Sequence, residues 1–191
     1  MSSPAQDVIR RHRYTVEDYH RMATAGILRQ DQRVELIKGE IIDMTPIGSR
    51  HAATVRQLAK ILVNTAGDRA IVSVQSPIEL DDLSEPEPDL ALLRPQADFY
   101  ARGHPRPADI LLIIEVADNS LIFDRDVKIP LYARQGIAEV WLFDLGTTKL
   151  TVYRNPSKGG YGKVKTLERI NGLTVPILKD VMVDLSGVMG F

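Results

Sequence analysis

Hydrophobic and polar positions follow two different periods along this chain, and the changes between them mark out its elements. After Thr15, Val16, Tyr19 and Met22 recur at helical spacing, with Asp18 placed as the third partner of a capping box; a short helix ending near Gly26 is predicted. Two apolar stretches, Val34 to Ile37 and Ile41 to Met44, flank Lys38-Gly39-Glu40 and predict a β-hairpin in which Gly supplies the turn conformation. Glu35 lies inside its first strand. Val55, Leu58, Ala59 and Leu62 then mark one face of a helix running from Ser49, the expected N-cap, to about Ala66.

Ile71 to Val74 reads as a strand that Pro77 to Leu80 extends or follows, and Asp81 to Pro88 as an acidic, Pro-containing loop. Asp89 stands where that loop enters the strand Leu90 to Leu93. A segment rich in Pro, Arg and Gly follows, and Asp109 to Val116 is the most apolar strand, expected at the centre of the sheet. Asp124 to Gln135 reads as a helix ended by Gly136, with Pro130 kinking it or marking its first turn. Ala138 to Phe143 is the next strand, and Lys149 to Arg154 with Gly162 to Leu167 form a late hairpin about a turn at Asn155 to Gly160. Hairpins mixed with helical crossovers imply an α/β or α+β fold, a mixed sheet with helices on both sides. Residues 1–13 are expected to be a flexible arm and residues 14–191 a single domain.

Composition narrows the chemistry more than the fold. The 191 residues are 44% hydrophobic and 26% charged, as in ordinary globular proteins. With 24 Lys plus Arg against 25 Asp plus Glu, attraction to nucleic acid has to come from a local patch. The absence of cysteine excludes disulfides, thiolate zinc sites and Cys nucleophiles, and suits a cytoplasmic location. No signal peptide is visible, and the apolar run Ile110 to Ile114 stops at Glu115, far short of the ~20 residues that span a bilayer, so no membrane association is expected.

Asp89 and Glu115 carry the main chemical signal. A carboxylate at the start of one apolar strand meets another near the end of the next if the two strands are antiparallel neighbours. Oxygen ligands of this kind suit a hard divalent cation. Asp89 could equally bind backbone N–H groups at a strand entry. Glu115, at the end of an apolar strand, costs several kcal/mol to bury unless it is paired or metal-bound, and a structural salt bridge competes with the metal role. Glu35 is a third acidic candidate, or the exposed face of a two-sided hairpin. Lys128 either offsets phosphate charge or is a solvated helix residue.

Pro88-Asp89 followed by Glu115 resembles the PD-(D/E)xK signature of the restriction-endonuclease-like nucleases. Ile114-Glu115-Val116, then Ser120, Asp124, Lys128, Tyr132, Gly136-Ile137, Glu139, Trp141 and Asp144, resembles the Uma-two-type restriction endonuclease family. The resemblance starts near Tyr14 and takes in Glu35-Leu36-Ile37-Lys38-Gly39-Glu40-Ile41 and His51. It implies helices about a mixed sheet, a Mg²⁺ site for which Mn²⁺ can substitute, and DNA as substrate. Asp89 and Glu115 would then be the metal ligands, with Glu35 and Lys128 completing the catalytic set. The Lys expected two residues after the Glu falls on Ala117, and the family reading has Lys128 fill that role from the following helix. Asp124 and Tyr132 flank Lys128 at four-residue steps and share its helix face, so Asp124 would pair with the ammonium and Tyr132 pack below it. His51, at the start of its helix, binds phosphate or caps locally.

Arg94, Arg102, Arg106, Lys158, Lys163 and Lys165 are candidate phosphate contacts. Two other readings stay open: a non-catalytic module that binds nucleic acid or protein, and a hydrolase acting on RNA or a small phosphodiester. Family habit implies a homodimer, and the apolar segment Val175 to Val183 is either its surface or core.

Overall fold

The structure, a computed structural model, describes residues 11–29, 31–168, 172–175 and 182–188. Helix α1 spans Val16–Thr24 and opens on the expected capping box, in which the Thr15 side chain accepts from the Asp18 N–H and the Asp18 carboxylate accepts from the Thr15 N–H. Strands β1 (Val34–Ile37) and β2 (Glu40–Asp43) form the hairpin. Both turn residues have positive φ, 52° at Lys38 and 78° at Gly39, as a tight hairpin turn requires. Helix α2 covers Ser49–Ala66, but its N-cap is Gly48, so Ser49 is already helical and caps nothing.

The main sheet holds six strands in the order β3-β4-β5-β6-β7-β8. They are β3 (Ile71–Val74), β4 (Leu90–Leu93), β5 (Ile110–Ala117), β6 (Glu139–Asp144), β7 (Lys149–Ser157) and β8 (Gly160–Leu167). Among the described residues only β5 and β6 pair in parallel, and the connection between them carries helical turns, as a parallel crossover demands. Pro77 to Leu80 forms no strand. Instead the Ile78 and Leu80 N–H groups donate to the carbonyls of Pro86 and Ser84, folding this segment onto the acidic loop. The late hairpin runs further than its sequence pattern suggests, with a turn of only Lys158 and Gly159; its polar tip residues pair because their backbones can, whatever their side chains.

All eight residues of β5 are buried, as expected of a strand covered on both faces. Alternation sends Leu112, Ile114 and Val116 to a cluster under α2, together with Leu90, Leu92, Trp141 and Phe143. Ile113 and Ala117 join the opposite cluster with Ala91, Val140 and Leu142. That face is covered by helix α3 (Leu121–Phe123), a π-helical turn (Asp124–Lys128) and helix α4 (Ile129–Arg134). Pro130 falls in the first turn of α4, directly after the π turn, the position where a missing N–H and a fixed φ are tolerated. Glu115 alternates onto this same face.

Short strands β9 (Gly172–Thr174) and β10 (Met182–Asp184) pair with each other. Val175 and Val183 are buried in the α2-side cluster, so the two ends of the suggested dimer surface are core, and residues 176–181 lie outside the described residues. No helix among the described residues is long and apolar enough to cross a membrane.

The β1–β2 turn is wedged in place. Gly39 donates to the Leu83 carbonyl and accepts from the Tyr14 N–H, and a Cβ added to it would lie 2.5 Å from Arg13 Cβ. Gly39→Ala, strained in φ and in contact, is expected to cost about 1–3 kcal/mol. Chemical denaturation checks this; a variant as stable as wild type would show that the turn is free to move.

Candidate active site

Antiparallel pairing of β4 with β5 sets Leu90 opposite Ile114, which brings Asp89 and Glu115 together at one end of the strand pair. The Asp89 N–H donates to Glu115 Oε2 at 3.4 Å, and the Val116 N–H donates to Asp89 Oδ2 at 2.9 Å. Asp89 thus does bind backbone, but with capacity left over. Gln75, held at φ 44°, donates its side-chain amide to Asp89 Oδ1 at 3.3 Å and its N–H to the Asp89 carbonyl at 3.0 Å. His51 neither caps α2 nor stands apart: its Nε2 lies 3.0 Å from the Asp89 carboxylate, and its buried Nδ1 has no partner among the described residues.

Lys128 ties the other carboxylates together. Its ammonium lies 3.0 Å from Glu115 Oε1 and 3.3 Å from Glu35 Oε2, and reaches the Glu87 carbonyl at 3.5 Å. The side chain is 4% exposed, so it is neither solvated nor turned away from the site. Glu35 is buried rather than on an open hairpin face, and its Oε2 also accepts from the Glu87 N–H at 3.1 Å. Tyr132 does more than pack beneath: its hydroxyl donates to Glu115 Oε1 at 2.6 Å. The expected Asp124–Lys128 ion pair is not among the ion pairs of the described residues, because Lys128 is taken up by deeper carboxylates and Asp124 Oδ2 by the Ser120 hydroxyl at 2.5 Å.

Burial pushes the Glu115 carboxyl up to about 8, against the lowering pull of Lys128. For Lys128 burial works to lower the ammonium, but Glu115, Glu35 and Asp124 outweigh it and raise it. Burial also raises Asp124 and Tyr132. The hydrogen bond to Asp89 raises His51. Lys128 is therefore a permanent cation inside an acidic cluster.

Apart from the fully buried Tyr132, these groups line a cleft of about 250 Å³ that also takes in Arg33, Glu87 and Asn119. Arg33 pairs with Glu87 at 2.8 Å. None of the six basic residues proposed as phosphate contacts lines this cleft. Arg102 and Arg106 pair with Asp98 and Glu79, Arg94 donates to the Ala108 carbonyl, Lys158 is in the hairpin turn, and Lys163 and Lys165 are on β8, three strands from β5. Sequence reasoning missed Gln75, Arg33 and the backbone role of Glu87; only Glu87 carried a signal, its place beside Pro88-Asp89.

The donor set fits a hard divalent cation. Glu115 Oε1 is occupied by Tyr132 and Lys128, whereas Oε2 has only the long contact from the Asp89 N–H, and both it and the Asp89 carboxylate are oxygen donors. No three acidic or imidazole groups of this cleft bring ligand atoms within 4.8 Å of one another; the one described trio that does is His20, Glu85 and His104, elsewhere.

A family model described as "Uma2: Putative restriction endonuclease" matches residues 16–186. The crystal structure of a putative nuclease belonging to DUF820 from Anabaena variabilis ATCC 29413 is similar with a TM-score of 0.68 and 14% identity, over 92% of this chain and 97% of that one. At that identity the likeness concerns the fold, a mixed sheet flanked by helices. No curated protein matches the chain.

Lys128→Met leaves Glu35 and Glu115 buried without a counter-charge and is expected to cost about 3–5 kcal/mol, read by urea denaturation. In a Glu115→Gln background the same change should cost clearly less. Equal losses in the two backgrounds would rule out the pairing with Glu115 as the source of the effect and leave that with Glu35.

Proposed function

Since the chain belongs to the Uma2 family, described as putative restriction endonucleases, we propose that it hydrolyses DNA phosphodiester bonds at the Glu35, Asp89, Glu115 and Lys128 cleft with Mg²⁺, or Mn²⁺ in its place. The observation that carries this reading is the Lys128 ammonium held 3.0 Å from Glu115 in the cleft that Asp89 also lines. It supports a PD-(D/E)xK-type constellation in which Lys128 takes the place of the Lys missing at Ala117, a small buried residue on the same sheet face.

Asp89 and Glu115 are the groups that would hold the cation, which supplies a water of lowered pKa and neutralises charge building on the phosphate. The Val116 N–H and the Gln75 amide orient Asp89. Tyr132 and Lys128 occupy Glu115 Oε1 and so leave Oε2 as the available donor. Glu35 anchors Lys128, whose fixed positive charge counters that of the incoming phosphate. His51 touches Asp89 through Nε2 and can hold a proton at Nδ1. Arg33 is the other cation lining the cleft, so few contacts to the backbone of DNA are expected beyond it, with a correspondingly shallow salt dependence.

A non-catalytic binding module is favoured by one feature: Lys128 already directs its ammonium to Glu115, Glu35 and the Glu87 carbonyl, leaving little for a substrate. Incubation of the protein with single-stranded, double-stranded and branched DNA separates the readings. Cleavage with Mg²⁺ or Mn²⁺ is expected, abolished by EDTA and reduced by at least about 100-fold in Asp89→Ala. Binding that survives EDTA and this substitution, with no product from any DNA, would select the module; cleavage of RNA alone would move the substrate.

A further inference from the structure

A second cluster of metal-ligating side chains lies outside the cleft. His20 comes from α1, Glu85 from the acidic loop and His104 from the loop between β4 and β5, and one donor atom from each falls within 4.8 Å of the others. Glu85 forms the floor with its side chain 3% exposed, while His20 and His104 are exposed at the rim. Buried carboxylates need a partner of opposite charge. Glu85 has no Arg or Lys partner among the described residues; its carboxylate pairs with His20 alone, whose Nε2 lies 2.9 Å from both oxygens. That one N–H is shared between the two oxygens as a three-centre hydrogen bond. A cation centred before the carboxylate and bound to both imidazoles would give this buried group a full counter-charge.

The three segments are also fixed independently of any ligand. The Val16 N–H donates to the Asp82 carbonyl and the Tyr19 hydroxyl to the Val34 carbonyl, which holds α1 against the loop and hairpin. Glu85 exchanges backbone hydrogen bonds with Leu36, at 2.8 and 3.4 Å. Beside His104, buried Pro105 accepts from the Glu79 N–H at 2.9 Å. The His20 and His104 ring centroids are 6.2 Å apart at 66°, edge toward face, and His104 is exposed, so its side chain has room to adjust about a shared ligand.

We propose that His20, Glu85 and His104 bind a late first-row divalent cation, Zn²⁺ by this donor set, at a site separate from the acidic cleft. Two imidazoles and one carboxylate make a three-ligand zinc set whose fourth position is open to water. The two sites sort ions by donor type: the oxygen donors of the cleft suit hard cations, and the imidazoles select the softer one. Bound zinc clamps α1 and the β4–β5 loop onto Glu85, two residues before Glu87, whose N–H and carbonyl hold Glu35 and Lys128. This site lies apart from the acidic cleft, so the proposal does not rest on the nuclease reading.

Zinc titration of the tag-free full chain by calorimetry tests it, alongside Asp89→Ala, His104→Ala and Glu85→Gln variants. One zinc site is expected in wild type and in Asp89→Ala, weakened on the order of 10–100-fold or more in His104→Ala and Glu85→Gln. Zinc at a hundredfold excess over Kd should raise the Tm of wild type by about 5–10 °C and leave that of His104→Ala nearly unchanged. His104 is exposed, so its loss should not disturb folding. Absence of binding in wild type, binding unaffected by His104→Ala, or binding lost in Asp89→Ala would each overturn the proposal; the last would place zinc in the acidic cleft.

Discussion

A buried ammonium between two buried carboxylates is the constraint around which the acidic cleft is organised. Glu35 and Glu115 come from different sheets, and without Lys128 both would be buried at the cleft with no cation between them. With it, the hairpin, the central strand and the helical crossover are bound to one point. Glu115 then divides its labour: one oxygen is committed to the Lys and Tyr of the crossover, and the other turns toward Asp89.

That arrangement depends on an irregular helix. The π turn over Asp124–Lys128 puts a widened turn where the chain must send a long side chain inward and then accommodate Pro130. Mid-helix irregularity of this kind is commonly found at functional sites, and here it carries the Lys128 ammonium to Glu35 and Glu115. The whole crossover sits on an apolar sheet face, so the charged cluster is enclosed by a packed core on one side and open only along the cleft.

The legible parts of the chain were those with strong local patterns. The unbroken apolar run of β5 announced a central strand, and a carboxylate at its end announced a group needing a partner. The meeting of Asp89 with Glu115 followed once the strands were taken as antiparallel. Family resemblance supplied Lys128, since nothing local distinguishes it from a solvated helix Lys. Glu35 was ambiguous, because its burial comes from Glu87 and Lys128, both distant in the chain. Gln75 and Arg33 were invisible for the same reason: their roles arise from contacts with Asp89 and Glu87. The Arg- and Lys-rich segments misled because charge in a loop says nothing about direction, and three of those cations turn to neighbouring acids or carbonyls.

The stretch from Glu85 to Asp89 serves as a ruler. Pro86 and Pro88 each lock one backbone torsion and bias the residue before them toward extended conformations. The distance from the Glu85 backbone bridge to the mouth of β4 is thereby largely set before the chain folds, and little entropy remains to be lost in setting it. Insertions in the long β4–β5 loop can bulge outward into solvent. A residue added or removed between Glu85 and Asp89 has nowhere to go, and would shift either the hairpin or the strand by a full step, so chain length in this short segment should vary far less than its composition.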